Sequence, residues 1–424
     1  MDFRYCSPRF DGRHVMPKLP PISTCTGCLV CVDACLHEAL QGEYGPDGHI
    51  YPRCETGRCK ECGRCEALCP VIGCDFGKGL LKPPEPVAAW STRPDTRKRS
   101  ASGGVFAEVA HAVLESGGVV IGAIMDQGGV RHYAVETLDE LPLLQGSKYL
   151  QSNTTGIYRG TLDFLKAGRT VLFSGTPCQV AGVLRYVARG GWPGVLYSCD
   201  VICHGVPSAS FFNNCVDHLG GREAQVVSFR DKSIGWRNNY VLQIQCKVGS
   251  VCRQPYDESL FLKAYSAGTI LRRSCFNCRF AALERASDFS LADFWGVDRA
   301  RWPDEEKQGI SLVIHRSDRA KKLISSNRHI SSCRVTWKEA LLNNPRLYEG
   351  RIGVNPFPPH SLLALALRYF AFSMLACVYA NAAPKTHFWW WPYKLMMRFS
   401  HRRNAEMQRS SMDKALMMTA GWDK

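Results

Sequence analysis

Apolar residues recur every three or four positions within residues 105–115. This spacing predicts an amphipathic helix, because such positions share one helical face. Ser100 or Ser102 would cap the start of the helix, and two glycines would end it. A continuous apolar run over 119–124 then predicts a buried strand. A helix followed by a buried strand is typical of α/β proteins.

The same alternation continues further along the chain. A strand is predicted over 170–173, followed by a tight turn with the sequence SGTPC and a helix. Another strand is predicted over 195–202, and residues 228–248 are rich in β-forming residues. A glycine-containing turn between strand and helix is typical of nucleotide-handling units. The pattern predicts a mixed fold, α+β or α/β, with an α/β catalytic domain over 101–345.

Prolines interrupt the pattern before this domain. The prolines of residues 1–24 predict an irregular lead-in to a domain that ends at residue 79. Residues 80–100 combine three prolines in their first part with a basic patch and are interpreted as a linker. The patch could be a solvated joint or a collar that receives phosphate or an acidic partner. Its residues are Arg93, Arg97, Lys98 and Arg99.

The C-terminal region, 346–424, is predicted to be a helical tail with an apolar and an aromatic–basic part. Residues 361–380 are mostly apolar and long enough to span a bilayer, but Arg368 interrupts them. A central Arg costs about 2.5–3.5 kcal/mol on insertion, which nearly cancels the gain from the apolar residues. Trp389–Trp391 follow, beside basic residues. Residues 361–399 could therefore contact a membrane peripherally, or dock on the body or a partner subunit.

Composition narrows the function classes. The chain has 424 residues, 21 cysteines and a formal net charge of +15. Its first residues lack an apolar secretory segment, so we expect a cytoplasmic protein, with contact at the inner face of the membrane as one option. Cysteines in a reducing compartment favour metal binding. The positive charge favours acidic redox partners, phosphate-bearing cofactors or anionic lipid, and no nucleic-acid-binding module is present.

Two cysteine runs near the N-terminus give the strongest indication of a bound metal group. Each has the spacing C-x2-C-x2-C-x3-C, which is typical of bacterial ferredoxins with two [4Fe–4S] clusters. The fourth cysteine of each run ligates the other cluster. Cys25, Cys28, Cys31 and Cys69 would hold one cluster, and Cys59, Cys62, Cys65 and Cys35 the other.

The alternatives fit this spacing less well. Structural zinc uses paired cysteines without the third and fourth members, and disulfides need an oxidising compartment. The chain departs from the fuller motif at Leu36, where proline is usual, and in the long connection over 36–58. Cys54 and Cys74 lie close to the runs and complicate the ligand assignment.

A second metal site is predicted from scattered cysteines. Cys275 and Cys278 form a C-x2-C pair that needs two more ligands. Cys178 and Cys203 are the best candidates, because both lie in turns rich in Gly and Pro. The four would hold a third [4Fe–4S] cluster. The alternatives are a zinc knuckle, or His204 in place of one thiolate.

Several other segments could bind a cofactor. The Ser-Gly-Gly turn at the start of the first predicted helix offers free amides to a phosphate, although the same residues could be only a cap. Trp236 could stack on a ring beside Arg230, Lys232 and Arg237. The acidic segment 288–298 could flank a flavin, but a turn with a buried Trp is its simpler interpretation.

Seven segments in order resemble the coenzyme F420 hydrogenase/dehydrogenase beta-subunit family. They are ASGGVFAEVA, QGSKYLQS, FSGTPCQVAG, DVICHGVPS, FRDKSIGW, RRSCFNCRF and SDFSLADFWG. The resemblance covers residues 20–345 and is closest to bacterial members with an N-terminal twin ferredoxin domain. It implies an FAD-binding iron–sulfur oxidoreductase and leaves the use of coenzyme F420 itself open.

The resemblance also implies which residues meet the flavin. Lys148 would place a positive charge beside it, as the catalytic residue. An exposed loop lysine is the alternative. The phosphate end would meet Ser102, Gly103 and Gly104, and the ring or ribose would meet Ser147, Lys148, Tyr149, Ser174, Gly175, Thr176 and Gln179.

The sequence thus predicts an oxidoreductase that exchanges electrons with a ferredoxin or another redox protein and with an unidentified small-molecule acceptor. A non-catalytic electron-transfer subunit of a larger complex is the main alternative. An assembly protein of a glycan pathway is a third, which depends on the tail alone.

Overall fold

The computed structural model describes residues 17–72, 84–351 and 408–422, apart from gaps at 128, 189, 221–224, 238–239, 247–248, 299, 303–306 and 421. Cys6, Cys74, Cys377 and the tail segment 361–399 lie outside the described residues. The strands are β1 Leu40–Tyr44, β2 Ile50–Cys54, β3 Glu85–Ser91, β4 Val119–Asp126, β5 Gly129–Val135, β6 Thr170–Gly175, β7 Val195–Val201, β8 Gln225–Asp231, β9 Val241–Gln245, β10 Val251–Pro255, β11 Phe289–Asp293, β12 Ser311–His315 and β13 Ile330–Arg334. The α-helices are α1 Val30–Ala34, α2 Arg64–Leu68, α3 Pro94–Arg99, α4 Val105–Glu115, α5 Leu141–Leu144, α6 Ile157–Lys166, α7 Pro177–Tyr186, α8 Ala209–Gly220, α9 Leu260–Ser266, α10 Asp318–Ser325, α11 Trp337–Leu341 and α12 408–419.

A mixed eight-stranded sheet forms the centre of the molecule, in the order β13-β3-β12-β11-β7-β6-β4-β5. Strands β4, β6, β7 and β11 are parallel, and β12 is antiparallel to both β11 and β3. The carboxyl ends of β6, β7, β11 and β3 therefore lie along one edge of the sheet. This architecture confirms the predicted mixed α/β class.

Alternate residues of the central strands pack on opposite faces of the sheet, as the two-residue period of a strand requires. Leu172 of β6 belongs to the core on the side of α4, whereas Val171 and Phe173 pack on the side of α6 and α7. Continuous apolar strands of this kind are buried on both faces.

The predicted elements of this sheet are confirmed. The structure has α4 over the predicted helix, β4 over the buried run, and β6 and β7 at the two strands. The predicted serine cap is wrong. Gly104, with φ of 88°, is the N-cap of α4 and provides no side-chain bond. Ser102 Oγ instead donates to Ile310 O over 2.9 Å.

The linker prediction for 80–100 is wrong for its described part. Residues 85–91 form β3, which pairs with β12 on one side and β13 on the other, and Ala88 and Ala89 are fully buried. Two residues of the basic patch are bonded to the body, whereas Lys98 and Arg99 are exposed. Arg93 pairs with the buried Glu108, and buried Arg97 donates to Gly309 O over 2.8 Å.

The N-terminal unit contains the β1–β2 hairpin and the short helices α1 and α2. It is hydrogen-bonded to the α/β body at several points. The Asp33 carboxylate, on α1, accepts the backbone N–H groups of Gly156 and Tyr158 at the start of α6. Thr154 and Tyr158 both donate through their hydroxyls to Cys28 O.

A second, three-stranded antiparallel sheet has the order β10-β9-β8. It packs with α8 and α9 around an aromatic cluster that includes Phe212, Phe229 and Phe261. The predicted β-rich character of 228–248 is confirmed by β8 and β9.

The end of the chain returns to the body. In α12, Ala415 and Thr419 are buried, and the Trp422 ring lies 5.2 Å from that of Trp337. The membrane question concerns 361–399, which the structure does not describe. Within the described part of the chain, no helix combines the length and apolarity needed to cross a membrane.

Candidate functional site

The two cysteine runs have the same backbone, displaced by 34 residues. Gly27 and Glu61 have φ of 63° and 52°, and Leu29 and Gly63 have φ of 57° and 68°. Each run then forms a five-residue helix that ends at its fourth cysteine, at Cys35 and Cys69. Successive turns with positive φ direct backbone N–H groups into one concavity, an arrangement found at iron–sulfur sites.

The first thiol set, Cys25, Cys28, Cys31 and Cys69, is buried throughout. Burial raises the pKa of Cys31 well above its usual range, and the neighbouring Cys28, Cys25 and Cys69 raise this pKa further. The structure therefore brings Cys69 of the second run beside the first three cysteines of the first run.

The second thiol set, Cys59, Cys62, Cys65 and Cys35, lies closer to the surface. Cys35 and Cys65 are buried, Cys59 is half-buried and Cys62 is exposed. Burial raises the pKa of Cys65 to about 11, and Cys35 is among the neighbours that raise it. The amide of Ala39 donates to Cys35 Sγ over 3.3 Å. Such bonds to sulfur help to set cluster potentials.

The third thiol set comes from three separate segments. Cys178 lies in the first turn of α7, Cys203 follows β7, and Cys275 and Cys278 lie in and after a 3₁₀ turn over Arg273–Phe276. Burial raises the pKa of Cys178 to about 12, and its neighbours Cys278 and Cys203 contribute in the same direction. Burial raises the pKa of Cys203 to about 12, and its neighbours Cys275 and Cys278 raise it as well. Burial raises the pKa of Cys275 in the same way, with contributions from Cys278 and Cys178.

The first and third thiol sets are neighbours. The pKa of Cys28 is raised by burial and next by the charge of Cys178. His204 makes other contacts. Its Nε2 is 3.1 Å from Tyr265 O, and burial lowers its pKa to about 4. In the described ranges, no three His, Cys, Asp or Glu side chains are arranged to hold a single metal ion.

Polar atoms without partners test whether these thiol sets suit iron–sulfur clusters. Four buried donors beside the cysteines lack a hydrogen-bond partner among the described residues. One lies next to Cys25 of the first set, one next to Cys275 of the third set, and one inside the second run; the fourth belongs to an arginine three residues before Cys275. Buried donors rarely stay unsatisfied. The sulfur atoms of a cluster are acceptors that would satisfy them, so the residues fit the group. The donors are Thr26 Oγ1, Arg64 Nε, Arg272 Nη2 and Ser274 Oγ.

The carboxyl edge of the main sheet carries the rest of the candidate site. Cys178 follows β6, Cys203 follows β7, Asp293 ends β11, and the Ser102–Gly104 turn follows β3 and α3. Ligands of α/β proteins bind outside this edge. From β6 to β3 there are four strand spacings, or about 19 Å at about 4.8 Å each.

The Ser102–Gly104 turn is bonded mainly to its own domain. Gly103 N donates to Ser311 Oγ over 3.1 Å, and a Cβ at Gly103 would lie 2.6 Å from Ala89 O. This glycine is therefore required by strand packing. Lys232 Nζ donates to Ser102 O and to two other carbonyls, and burial lowers its pKa to about 7.

The Ser174–Gln179 turn contacts the connection that follows Tyr149. Gln179 Nε2 donates to Ser152 O, and His132 lies between Ser152 Oγ at 2.7 Å and Ser174 O at 3.0 Å. Gly175 packs against His132 and Gln179. Gln179 also forms a capping box with Thr176 at the start of α7.

Lys148 and Tyr149 point to different surroundings. Lys148 Nζ donates to Leu143 O and Gln145 O, and burial lowers its pKa to about 8. This loop lysine is therefore half-buried rather than exposed. The Tyr149 ring lies 5.0 Å from that of Tyr265. Ser147 precedes them in the same connection between α5 and α6. The described contacts do not join these residues to the Ser102–Gly104 turn.

Residues that the sequence did not single out occupy central positions. Arg272 and His132 are buried and bridge segments that are distant in the chain. Neither lies in a recognisable spacing, so no local signal could have found them. Arg230 was noted for its charge, but its ion pair with Asp293 and its position 4.8 Å from the Tyr240 ring depend on the fold.

The comparisons with known proteins agree with the motifs. Residues 168–335 match the family model for the C terminus of the coenzyme F420 hydrogenase/dehydrogenase beta subunit. No curated protein matches the chain. A solved chain from the F420-reducing [NiFe] hydrogenase complex of Methanosarcina barkeri is 15% identical, with a TM-score of 0.40, and the match covers 72% of this chain and 93% of that chain. Residues 168–335 are therefore similar to the C-terminal part of the coenzyme F420 hydrogenase/dehydrogenase beta subunit.

Proposed function

We propose that this chain is an iron–sulfur flavoprotein oxidoreductase that passes electrons between a ferredoxin-like partner and a two-electron acceptor. One observation carries the proposal. Three separate segments bring Cys178, Cys203, Cys275 and Cys278 together, directly beside the first thiol set. Iron–sulfur clusters supply single-electron transfer, and a flavin supplies a connection between one- and two-electron chemistry.

The three thiol sets lie in a sequence in which the buried first set stands between the other two. The exposed Cys62 places the second set where a partner protein can approach, and the first set is buried behind it. The third set adjoins the first through Cys28 and Cys178. We infer that the chain exchanges electrons with its partner at the second set, and the net charge of +15 favours an acidic partner.

The carboxyl edge would receive the FAD. Gly104 leaves the first turn of α4 without a side-chain cap, so its amides can face a phosphate. The Ser174–Gln179 turn lies about 19 Å along the same edge, a distance that an extended dinucleotide can cover. In this arrangement Ser102, Gly103 and Gly104 would bind the phosphate end. Lys148 and Tyr149 would adjoin the ring.

Anaerobic quantification of iron, sulfide and flavin on the purified protein tests the proposal. We expect about twelve irons and one FAD per chain, as three [4Fe–4S] clusters and one flavin require. About eight irons without flavin would remove the enzyme proposal and leave a ferredoxin fused to a docking domain.

One observation favours a second candidate, an electron-transfer subunit without a small substrate. Several predicted flavin residues already have internal partners: Ser102 binds Ile310 O and Lys148 binds Leu143 O. Such a chain would hold its clusters and reduce no small acceptor when isolated. Turnover by the isolated chain with any small acceptor distinguishes the two candidates.

A further inference from the structure

Arg272 is a fully buried arginine between the N-terminal unit and the third thiol set. Its Nε donates to Cys25 O over 2.9 Å, and its Nη1 donates to Ile50 O over 3.0 Å and to Gln151 Oε1 over 3.1 Å. The guanidinium carbon lies 4.0 Å from the centre of the Tyr51 ring. The side chain is therefore held in one position by the first cysteine run, strand β2 and the connection between α5 and α6.

The backbone of Arg272 is fixed by residues beside the third thiol set. Its carbonyl accepts the N–H of Cys275 over 2.9 Å, and its own N–H donates to Val206 O over 2.8 Å. Gly27 allows the close approach, because a Cβ at Gly27 would lie 2.5 Å from Arg272 Nη1. Arg272 thus connects the loop of Cys25 with the turn of Cys275.

The charge of Arg272 is uncompensated by protein. In the described part of the chain no carboxylate forms an ion pair with it, and a buried charge without a counter-charge is costly. Arg272 lies next to the third set, because its carbonyl accepts the N–H of Cys275, one of the four proposed ligands.

The Nη2 group of Arg272 has no hydrogen-bond partner among the described residues. The hydroxyl of Ser274, between Arg272 and Cys275, is also buried and without a partner there. Two neighbouring donors that are free in the same region indicate an acceptor that is not part of the chain. Because the positive guanidinium also needs a negative neighbour, a thiolate-ligated cluster has the right chemistry.

We propose that Arg272 donates through Nη2 to a sulfur atom of the third cluster and raises the reduction potential of that cluster. This inference depends on the proposed function, because it needs the third cluster. Reduction adds one electron, taken from a low-potential donor, and moves no proton at Arg272, which stays charged. The fixed positive charge favours the reduced form because that form is more negative.

Arg346 provides a matched control on the other side of the third set. It also lies beside Cys203 and Cys275, but each of its nitrogens has a carbonyl partner. Nε donates to Cys203 O, Nη2 to Cys275 O, and Nη1 to Glu349 O and Gly350 O. Unlike Arg272, Arg346 therefore has no nitrogen that lacks a hydrogen-bond partner.

The test is a potentiometric titration followed by electron paramagnetic resonance, with dithionite as reductant. In Arg272→Gln we expect the ratio of reduced to oxidised third cluster at a fixed potential to fall at least tenfold, which is about 59 mV for one electron. Because Arg272→Lys keeps the positive charge, we expect the ratio to fall less in that variant. Arg346→Lys should leave the ratio within twofold of the wild type.

Iron analysis separates this inference from the proposed function. If the wild type holds about eight irons, the third cluster and both ideas fail. If Arg272→Gln keeps about twelve irons and its third cluster titrates as in the wild type, the inference alone is overturned.

A second measurement needs no change at Arg272. We would label the guanidino nitrogens of arginine with nitrogen-15 in the Arg346→Lys background and record pulsed resonance spectra of the reduced third cluster. A resolved nitrogen-15 coupling is expected from a hydrogen-bonded Nη2. Its absence would overturn the proposal even if the Arg272 variants did not fold.

Discussion

The first and third thiol sets show two different ways to build a site from the same side chain. Three of the four cysteines in the first set come from one short run, and local turns with positive φ arrange them. The third set has only one such pair, and the sheet brings in the other two from the ends of β6 and β7. The first set therefore depends on local backbone conformation, whereas the third depends on the whole fold.

The strongest test of this contrast removes the third set alone. Because Cys275→Ala with Cys278→Ala leaves both N-terminal runs intact, we expect a loss of about four of about twelve irons. Iron and sulfide analysis measures the loss. Cys246→Ala with Cys252→Ala is a matched control, because these half-buried thiols lie outside the site at the β9–β10 hairpin. An unchanged iron content in the first variant would contradict the assignment.

Two glycines, one from each cysteine run, distinguish backbone strain from side-chain packing. Gly27 and Gly63 share a positive φ, but a Cβ would meet Arg272, Gln151 and Ile50 within 2.6 Å at Gly27 and nothing within 4 Å at Gly63. Gly27→Ala should therefore reduce the free energy of unfolding by about 2–4 kcal/mol, and Gly63→Ala by about 1 kcal/mol. Urea denaturation measures both, and equal losses would show that packing at Gly27 contributes nothing.

Acid should weaken the body of the protein through His132. Burial lowers the pKa of His132 to about 4, so the unfolded chain takes up a proton that the folded chain excludes. Stability from this residue is complete above about pH 6.5 and is lost as the pH falls, by about 2 kcal/mol at pH 5. We expect His132→Gln to be less sensitive to pH between 6.5 and 4.

Denaturation at several pH values measures this difference. The same slope in His132→Gln and wild type would exclude His132 as a source of acid sensitivity.

The smallest expected effect concerns the start of α7. Thr176 forms a capping box with Gln179, and Thr336 forms the same box with Glu339 at the start of α11. Thr176→Val and Thr336→Val should each cost about 1 kcal/mol of unfolding free energy. Only the first should also alter the third cluster's resonance spectrum, because Thr176 Oγ1 lies 3.1 Å from Cys178 Sγ. Identical spectra in both variants would show that the cap acts on the helix alone.

The spacing of apolar residues predicted those elements that depend on residues close together in the chain. Helix α4 and strands β4, β6 and β7 followed from apolar spacing. Strand β3 was not predicted, because prolines are unusual inside sheets. Pro86 is tolerated near the start of β3, since pairing with β13 begins only at Val87, so its missing N–H breaks no bond there.

The candidate site was predictable to the same extent. Spacing was enough to propose ten of the twelve cysteines, and turns rich in Gly and Pro suggested Cys178 and Cys203. The surroundings of those cysteines were not predictable, because they depend on contacts across the chain. The bond from Arg272 to Cys25 joins residues 247 apart, and no spacing rule connects them.

The anchoring of the N-terminal unit has a kinetic consequence. Asp33 and Cys28 bind the body through several hydrogen bonds, and Arg272 adds a buried one. A ferredoxin module on a flexible tether must swing into place before each delivery, so solvent friction limits its rate. Here the first and third thiol sets keep a fixed separation. Internal electron transfer should proceed at the same speed in glycerol as in water, and docking of the partner should be the step that viscosity slows.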